Sequence, residues 1–368
     1  MMERALEIGI IGLGLIGGSL AKSWKANNRH TRIIACDTNA ADLQKALAEH
    51  VIDTGTETPN GAFSECSLVF LCTPVSAMRA AVSTLIPLLP EECLLVDTGS
   101  TKREVMEIFS EMGLRRRFIG GHPMAGSERS GYAASRANLF ENAWFVLTPY
   151  PETTPEAFAR VFKQVSGTGA MPIRMDVAEH DRATALISHL PHAVASLLVE
   201  TVRESETGTG TLRRLAAGGF RDMTRIASSS PGLWSGISLS NREPIRDAMM
   251  QFRSGIDGFL HMLENGDESG LRDFFQSART WRDSLSVVQT ERYMTVAEIT
   301  VDVEDKPGII ASIAVALAAR DINIKNIGIN HVREEDEGAL IIRFENLDER
   351  DFASSVLSEA GYAVKCRE

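Results

Sequence analysis

The chain is poor in the features that define several large protein classes. Its 368 residues hold only five cysteines, Cys36, Cys66, Cys72, Cys93 and Cys366, an odd number with no CxxC spacing. That usage argues against a disulfide framework or a zinc site and fits a reducing compartment, so a cytoplasmic location is expected. Positive charge is in deficit: 38 Lys and Arg stand against 49 Asp and Glu, a formal net charge of −11. Nucleic acid needs a basic footprint and is excluded as a partner, while an anionic substrate must find a local cationic pocket against the overall field. The first apolar run, residues 8–15, is short and broken by glycines. It reads as a buried strand rather than a signal peptide or membrane span, and no membrane partner is expected. Repeats and low-complexity tracts are missing, and no lysine occurs between Lys163 and Lys306. What remains is ordinary globular material, 44% hydrophobic and 24% charged, long enough for two or three domains with cores of their own.

Three regions differ in texture. Residues 1–170 alternate short apolar runs (6–11, 32–36, 68–72, 93–97) with helical patterns, which predicts an α/β domain with a parallel, Rossmann-type sheet. In residues 171–292 strand signals nearly vanish, and Met249, Phe252, Ile256, Phe259, Leu260 and Leu263 recur at helical spacing. Asn241 before Pro244, and Asp267, mark helix starts in this all-helical region. Residues 295–368 return to strands at 296–303, 323–330, 339–344 and 362–366, with helices opening at Lys306-Pro307-Gly308 and near residue 350. The order βαββαβ predicts a ferredoxin-like module.

Chemistry is concentrated in a few loops. Gly12-Leu13-Gly14-Leu15-Ile16-Gly17 follows the first strand and opens a helix, and Asp37 ends the next strand. In that context Gly12 permits the tight turn, Gly14 lets the backbone approach a pyrophosphate, and Gly17 allows close helix packing. The helix N-terminus faces the phosphates, and Asp37 accepts from ribose hydroxyls, which favours NAD over NADP. Thr73-Pro74 and Asp97-Thr98-Gly99-Ser100 follow two further strands, where such sheets bind ligands. Later comes Gly120-Gly121-His122-Pro123-Met124-Ala125-Gly126-Ser127-Glu128. A histidine between glycines and a proline sits on a rigid loop, where imidazole exchanges a proton near neutral pH. A proton acceptor beside a hydride acceptor describes alcohol oxidation. In the helical region His180-Asp181 and Ser188-His189-Leu190-Pro191-His192 lie on one helix bent at Pro191. His189 and His192 share a face, but no third ligand stands at a metal-binding interval, so no metal is expected.

These motifs, with Gly218-Gly219-Phe220-Arg221-Asp222-Met223-Thr224-Arg225, resemble the prephenate dehydrogenase family over essentially the whole chain. The resemblance implies NAD-dependent oxidation of the ring alcohol of prephenate, loss of the ring carboxylate and formation of 4-hydroxyphenylpyruvate in tyrosine biosynthesis. It assigns His122 as the base and Ser100 as the serine that hydrogen-bonds the reacting hydroxyl and orients the histidine. Arg225 becomes the clamp on the pyruvyl carboxylate, a contact suited to a planar guanidinium. His192, Ser127 and Glu128 join it in substrate binding, His180 is supportive, and Gly12, Gly14, Leu15, Ile16, Gly17, Asp37, Thr73 and Pro74 hold the cofactor. The helical region is implied to be a dimerisation domain, making the protein a homodimer. Prephenate and arogenate differ only in keto against amino, and the sequence does not select between them.

The C-terminal module resembles the ACT domain through Asp305-Lys306-Pro307-Gly308-Ile309-Ile310 and Ile322-Asn323-Ile324. Asp305, Gly308 and Asn323 are the candidate contacts for an amino-acid effector, with tyrosine the one expected. This leaves open a non-catalytic amino-acid sensor, although the complete catalytic set disfavours it. The β-hydroxyacid dehydrogenases, which use a lysine on their helical domain, are disfavoured because that region of this chain has none.

Overall fold

A computed structural model describes residues 7–28, 30–127, 129–291, 297–304, 306–331, 337–344 and 346–366. The chain folds as two compact units, Met1–Asp257 and Gly258–Glu368. The first is built on strands β1 Glu7–Ile11, β2 Arg32–Cys36, β3 Thr54–Thr56, β4 Leu68–Leu71, β5 Leu94–Asp97, β6 Phe118–Pro123, β7 Trp144–Pro149 and β8 Met171–Arg174. They form one sheet in the order β3-β2-β1-β4-β5-β6-β7-β8. The apolar runs are fully buried because helices cover both faces. Ile8, Ile10 and Phe70 belong to one core cluster, while Ile11, Val69 and Leu71, offset by one residue, belong to the other.

Two details depart from the expected parallel sheet ending near residue 170. Strand β7 runs antiparallel to β6, and β8 adds an edge strand running to Arg174. β8 is short and carries Pro172, so it shows little alternation in sequence, and proline is tolerated there because an edge strand leaves one side unpaired.

Helices α1 Leu15–Asn27, α2 Ala40–Ala48, α3 Val75–Leu85, α4 Arg103–Glu111 and α5 Pro155–Ser166 accompany the sheet. Asn39 caps α2 by accepting from Ala41 and Asp42 N–H, and Thr154 caps α5 ahead of Pro155, local choices that fix where each helix starts. The helical region comprises α6 Val177–Thr184, α7 Leu190–Ser205, α8 Thr211–Leu215, α9 Gly218–Thr224, α10 Pro231–Ser240, α11 Arg242–Glu264 and α12 Glu268–Glu291. A π-helical turn, Ala185–His189, joins α6 to α7 just before Pro191. The continuous stretch Val177–Ser205 is long and apolar enough to cross a bilayer by length and composition alone. Its first turns are nevertheless tied by buried polar bonds to α4 and β6, which marks a bundle helix.

The second unit contains α12 and the C-terminal module: β9 Glu298–Glu304, α13 Ile309–Ala318, β10 Asn326–His331, β11 Glu337–Arg343, α14 Leu347–Glu359 and β12 Ala363–Cys366. The strands pair antiparallel in the order β10-β11-β9-β12, and Ile299, Val301, Ile313, Leu317, Ile342 and Leu357 form the core. This is the βαββαβ arrangement expected from the sequence.

Candidate active site

The glycine loop closes directly on β1. Gly12 has φ +93°, and a Cβ there would stand 2.7 Å from the Cys72 carbonyl oxygen. At Gly17 a Cβ would meet the Gly12 oxygen at 2.0 Å, whereas Gly14 faces open space. The first turn of α1 has neither a side-chain cap nor an acidic residue, so its N–H groups and dipole are left for an anion. Asp37 accepts the Leu13 N–H at 2.6 Å and the Asn39 N–H at 2.8 Å, which ties the carboxylate at the end of β2 to the loop. Leu15, Ile16, Thr73 and Pro74 line a cavity of about 1000 Å³. The buried Thr73 Oγ1 has no hydrogen-bond partner among the described residues, as expected of a hydroxyl waiting for a ligand. A bare glycine cradle, an uncapped helix and an orphan hydroxyl on one cavity fit a dinucleotide.

His122 lines the same cavity, together with Ser100 and Ser127. It does not sit on a loop. It is the penultimate residue of β6, paired across from Val146 on β7. Gly120 and Gly121 serve the strand rather than a turn: a Cβ on Gly120 would lie 2.1 Å from Thr148 Oγ1, and one on Gly121 2.4 Å from the Asp97 carbonyl oxygen. Behind the strand lies a fully buried ion pair between Lys102 and Asp97. Lys102 Nζ also donates to the Gly121 carbonyl at 2.6 Å, and Asp97 accepts the N–H groups of Gly99 and Gly121, both at 2.8 Å. One buried pair therefore fixes the backbone on which both Ser100 and His122 ride.

The hydrogen bond that reaches the His122 ring comes from the helical region rather than from Ser100. His122 Nδ1 lies 2.8 Å from His180 Nε2, and His180 Nδ1 lies 2.8 Å from Asp181 Oδ1. Asp181 also accepts the N–H of Lys102 at 2.8 Å and of Arg103 at 2.9 Å. Burial holds the His122 pKa well below the usual imidazole value, with His180, Lys102 and His189 adding in the same direction. For Asp181 burial pushes upward, but the bonds from His180, Lys102 and Arg103 hold the carboxyl below its usual value. His122 is thus neutral at physiological pH, ready to accept a proton.

A second cavity, of about 350 Å³, is lined by His189, His192, Ile226 and Trp234. His192 stacks on Trp234 with ring centroids 3.5 Å apart and bonds through Nδ1 to the Ser188 carbonyl. His189 Nδ1 lies 3.1 Å from the buried Asn241 amide, which also donates to the Asp181 carbonyl oxygen at 2.8 Å. Burial pushes the His189 pKa down to about 4 and lowers that of His192, helped there by the Arg225 charge. Arg225 opens the short 3₁₀ turn Arg225–Ser228 and is exposed. Helix α10 lines both cavities with opposite faces: Leu233, Gly236 and Ile237 toward His122, Trp234, Ser235 and Ser238 toward His192. The structure thus brings His122, Ser100 and Ser127 together with Leu15, Ile16, Thr73 and Pro74 on one cavity, and places His192, which feels the Arg225 charge, across α10 from them.

Glu128 and Asp305 lie outside the described residues. Gly308 caps α13 at φ +91°, and Asn323 is exposed before β10. Sequence reasoning gave no role in the site to Lys102, Asp181 or Trp234, and read Asn241 only as a helix start. A His-Asp dipeptide at the start of an apolar helix was the one local signal available for Asp181.

Residues 20–174 match the family described as "Prephenate dehydrogenase, nucleotide-binding domain", residues 176–277 match "Prephenate dehydrogenase, dimerization domain", and residues 297–356 match "ACT domain". The chain is 39% identical over 350 residues to a prephenate dehydrogenase of Bacillus subtilis (strain 168), covering 95% of this chain and 94% of that one. Among solved structures it is similar to prephenate dehydrogenase from A. aeolicus in complex with hydroxyphenyl propionate and NAD+. The TM-score is 0.72 at 32% identity, over 77% of this chain and 100% of that chain. Synechocystis arogenate dehydrogenase matches with a TM-score of 0.68 at 29% identity, over 76% of this chain and all of that one.

Proposed function

The chain belongs to the prephenate dehydrogenase family and is an NAD-dependent oxidoreductase carrying an ACT domain, and from that membership we propose that it oxidises and decarboxylates prephenate with His122 as proton acceptor. The observation that carries this reading is the neutral His122 at the end of β6, on the same cavity as Leu15, Ile16, Thr73 and Ser100.

NAD held by the glycine turn, Asp37, Thr73 and Pro74 would supply the hydride acceptor for the ring carbon that bears the alcohol. His122 takes the hydroxyl proton as that carbon becomes a carbonyl, and Ser100 holds the hydroxyl in line. Loss of CO2 leaves its electron pair in the ring, and the phenol oxygen recovers a proton, so the base is restored. Aromatisation drives the reaction, which leaves the protein to supply orientation and the base. Gly12, Gly14, Gly17, Asp37, Thr73 and Pro74 orient the cofactor, and Ser127 and Glu128 flank the substrate. Arg225 beside His192 is the proposed clamp for the side-chain carboxylate, which must be reached past α10.

A homodimer is proposed from the match to a dimerisation domain. Apolar residues left exposed on α7 and α11, among them Leu197, Met250 and Ile256, support it. A cytoplasmic location is supported by the five free cysteines. Tyrosine is the proposed effector of the ACT domain, with Asp305, Gly308 and Asn323 as its contacts. The test is NADH formation by the purified protein with prephenate and, separately, with arogenate. His122→Asn should lower kcat by about two to four powers of ten while leaving NAD affinity in place. A near wild-type kcat in that variant removes His122 from the mechanism, and faster turnover of arogenate moves the substrate assignment to it.

A further inference from the structure

We propose that His180 and Asp181 are positioning residues that fix the tautomer of His122, so that its Nε2 presents a lone pair to the substrate. The inference rests on the reading of His122 as the base and adds how the base is kept in its working form. Asp181 receives three donors: the N–H groups of Lys102 and Arg103 and the Nδ1 of His180, all within 2.9 Å. A carboxylate so surrounded is ionised and only accepts, so His180 carries its proton on Nδ1. A His180 ring holding a single proton, on Nδ1, has its lone pair on Nε2. That atom faces His122 Nδ1 at 2.8 Å, and a hydrogen bond at this distance needs one donor. His122 Nδ1 must be the donor, which leaves Nε2 of His122 unprotonated.

The surroundings leave this pattern little freedom. His180 and Asp181 are both 1% exposed. The other charged or titratable groups nearby are engaged elsewhere: Lys102 Nζ with Asp97 and the Gly121 carbonyl, Arg103 with Glu243, and His189 with Asn241. When His122 becomes an imidazolium, its Nδ1–H still points at an acceptor whose far side is anchored on a carboxylate, so the developing charge meets a prearranged partner. The arrangement follows the logic of the Ser-His-Asp triad, with one more ring between the carboxylate and the base. It also makes the base depend on the docking of α6 against β6 and α4, since His180 and Asp181 lie on α6 while Lys102 and Arg103 begin α4.

The full-length enzyme, labelled with 15N-histidine, gives the direct reading. His122 in the wild type should show a protonated Nδ1 and a bare Nε2. His180→Phe, which keeps a buried ring but removes the acceptor, should abolish that preference and lower kcat about 10- to 100-fold with the KM for NAD unchanged. His180→Gln, whose amide oxygen can accept in place of Nε2, should recover part of the rate. A wild-type His122 protonated on Nε2, or a folded His180→Phe enzyme with kcat within about twofold of wild type, overturns the proposal. If His180→Phe does not fold, the wild-type tautomer decides alone. An active His122→Asn enzyme would instead defeat the reading of His122 as base. An inactive His122→Asn beside a fully active His180→Phe would defeat only the relay.

Discussion

Replacing Lys102 with methionine tests whether the buried ion pair behind β6 supports the site. Lys102 and Asp97 are both fully buried, and Lys102 Nζ bonds to Asp97 and, at 2.6 Å, to the Gly121 carbonyl. Methionine fills most of the same volume but brings neither charge nor donor. Asp97 would keep the Gly99 and Gly121 N–H groups, yet its negative charge would stand in the core without a counter-ion. Breaking a buried pair on one side costs about 3–5 kcal/mol, much of it the penalty for the charge left behind. The double variant Lys102→Met/Asp97→Asn removes that charge and should recover a large part of the loss, so the two substitutions are strongly non-additive. Urea unfolding followed by tryptophan fluorescence is the assay, since Trp24 packs on Phe70 in the sheet core and reports on this unit. The midpoint should fall with m unchanged. Because the Gly121 carbonyl immediately precedes His122, kcat should fall as well. A single variant less than about 1 kcal/mol below wild type, or a double variant no better than the single, would refute the reasoning.

Arg225→Ala should raise the KM for prephenate far more than it lowers kcat, by an amount corresponding to roughly 2 kcal/mol or more, the lower end for a charge-assisted contact because Arg225 is exposed in the single chain. An unchanged KM would pass the clamp to another cation such as Arg221. Asp37→Ala should narrow the preference for NAD over NADP and, because Asp37 also holds the Leu13 N–H, weaken NAD itself; equal use of both cofactors by the wild type would remove Asp37 from that role. Acid should destabilise the fold. Burial lowers the pKa values of His122, His189 and His192 in the folded state, so below the ordinary value of 6.5 the unfolded chain binds protons that the folded chain does not. Stability should therefore drop as pH falls from about 6.5 toward 4, with His189 alone contributing up to about 3 kcal/mol, and a Tm flat across that window would contradict it. Removing residues 292–368 should abolish the non-competitive part of tyrosine inhibition; equally strong inhibition of an active truncated enzyme would show that the ACT domain does not carry it.

The order of elements was legible in the sequence because it rests on short-range physics. Apolar runs four or five residues long and the glycine turn before α1 are properties of neighbouring residues, and the βαββαβ order of the C-terminal module was readable for the same reason. His122 was legible as a candidate base from its flanking motif, but its setting was not. The glycines before it look like loop residues until Thr148 and the Asp97 carbonyl are seen standing where their Cβ atoms would be. Tertiary structure alone decided the rest. Lys102 reads as a surface lysine until β5, β6 and α4 close over it, and the histidine within hydrogen-bond distance of His122 lies 58 residues further along the chain. No local pattern encodes which face of α10 looks toward His122 and which toward His192, because large apolar residues lie on both sides, Leu233 and Ile237 on one and Trp234 on the other, so the helix has no strong apolar stripe. Short-range preferences set the elements, whereas the site arises from burial and hydrogen bonding between residues that become neighbours only after the sheet and the helices have packed.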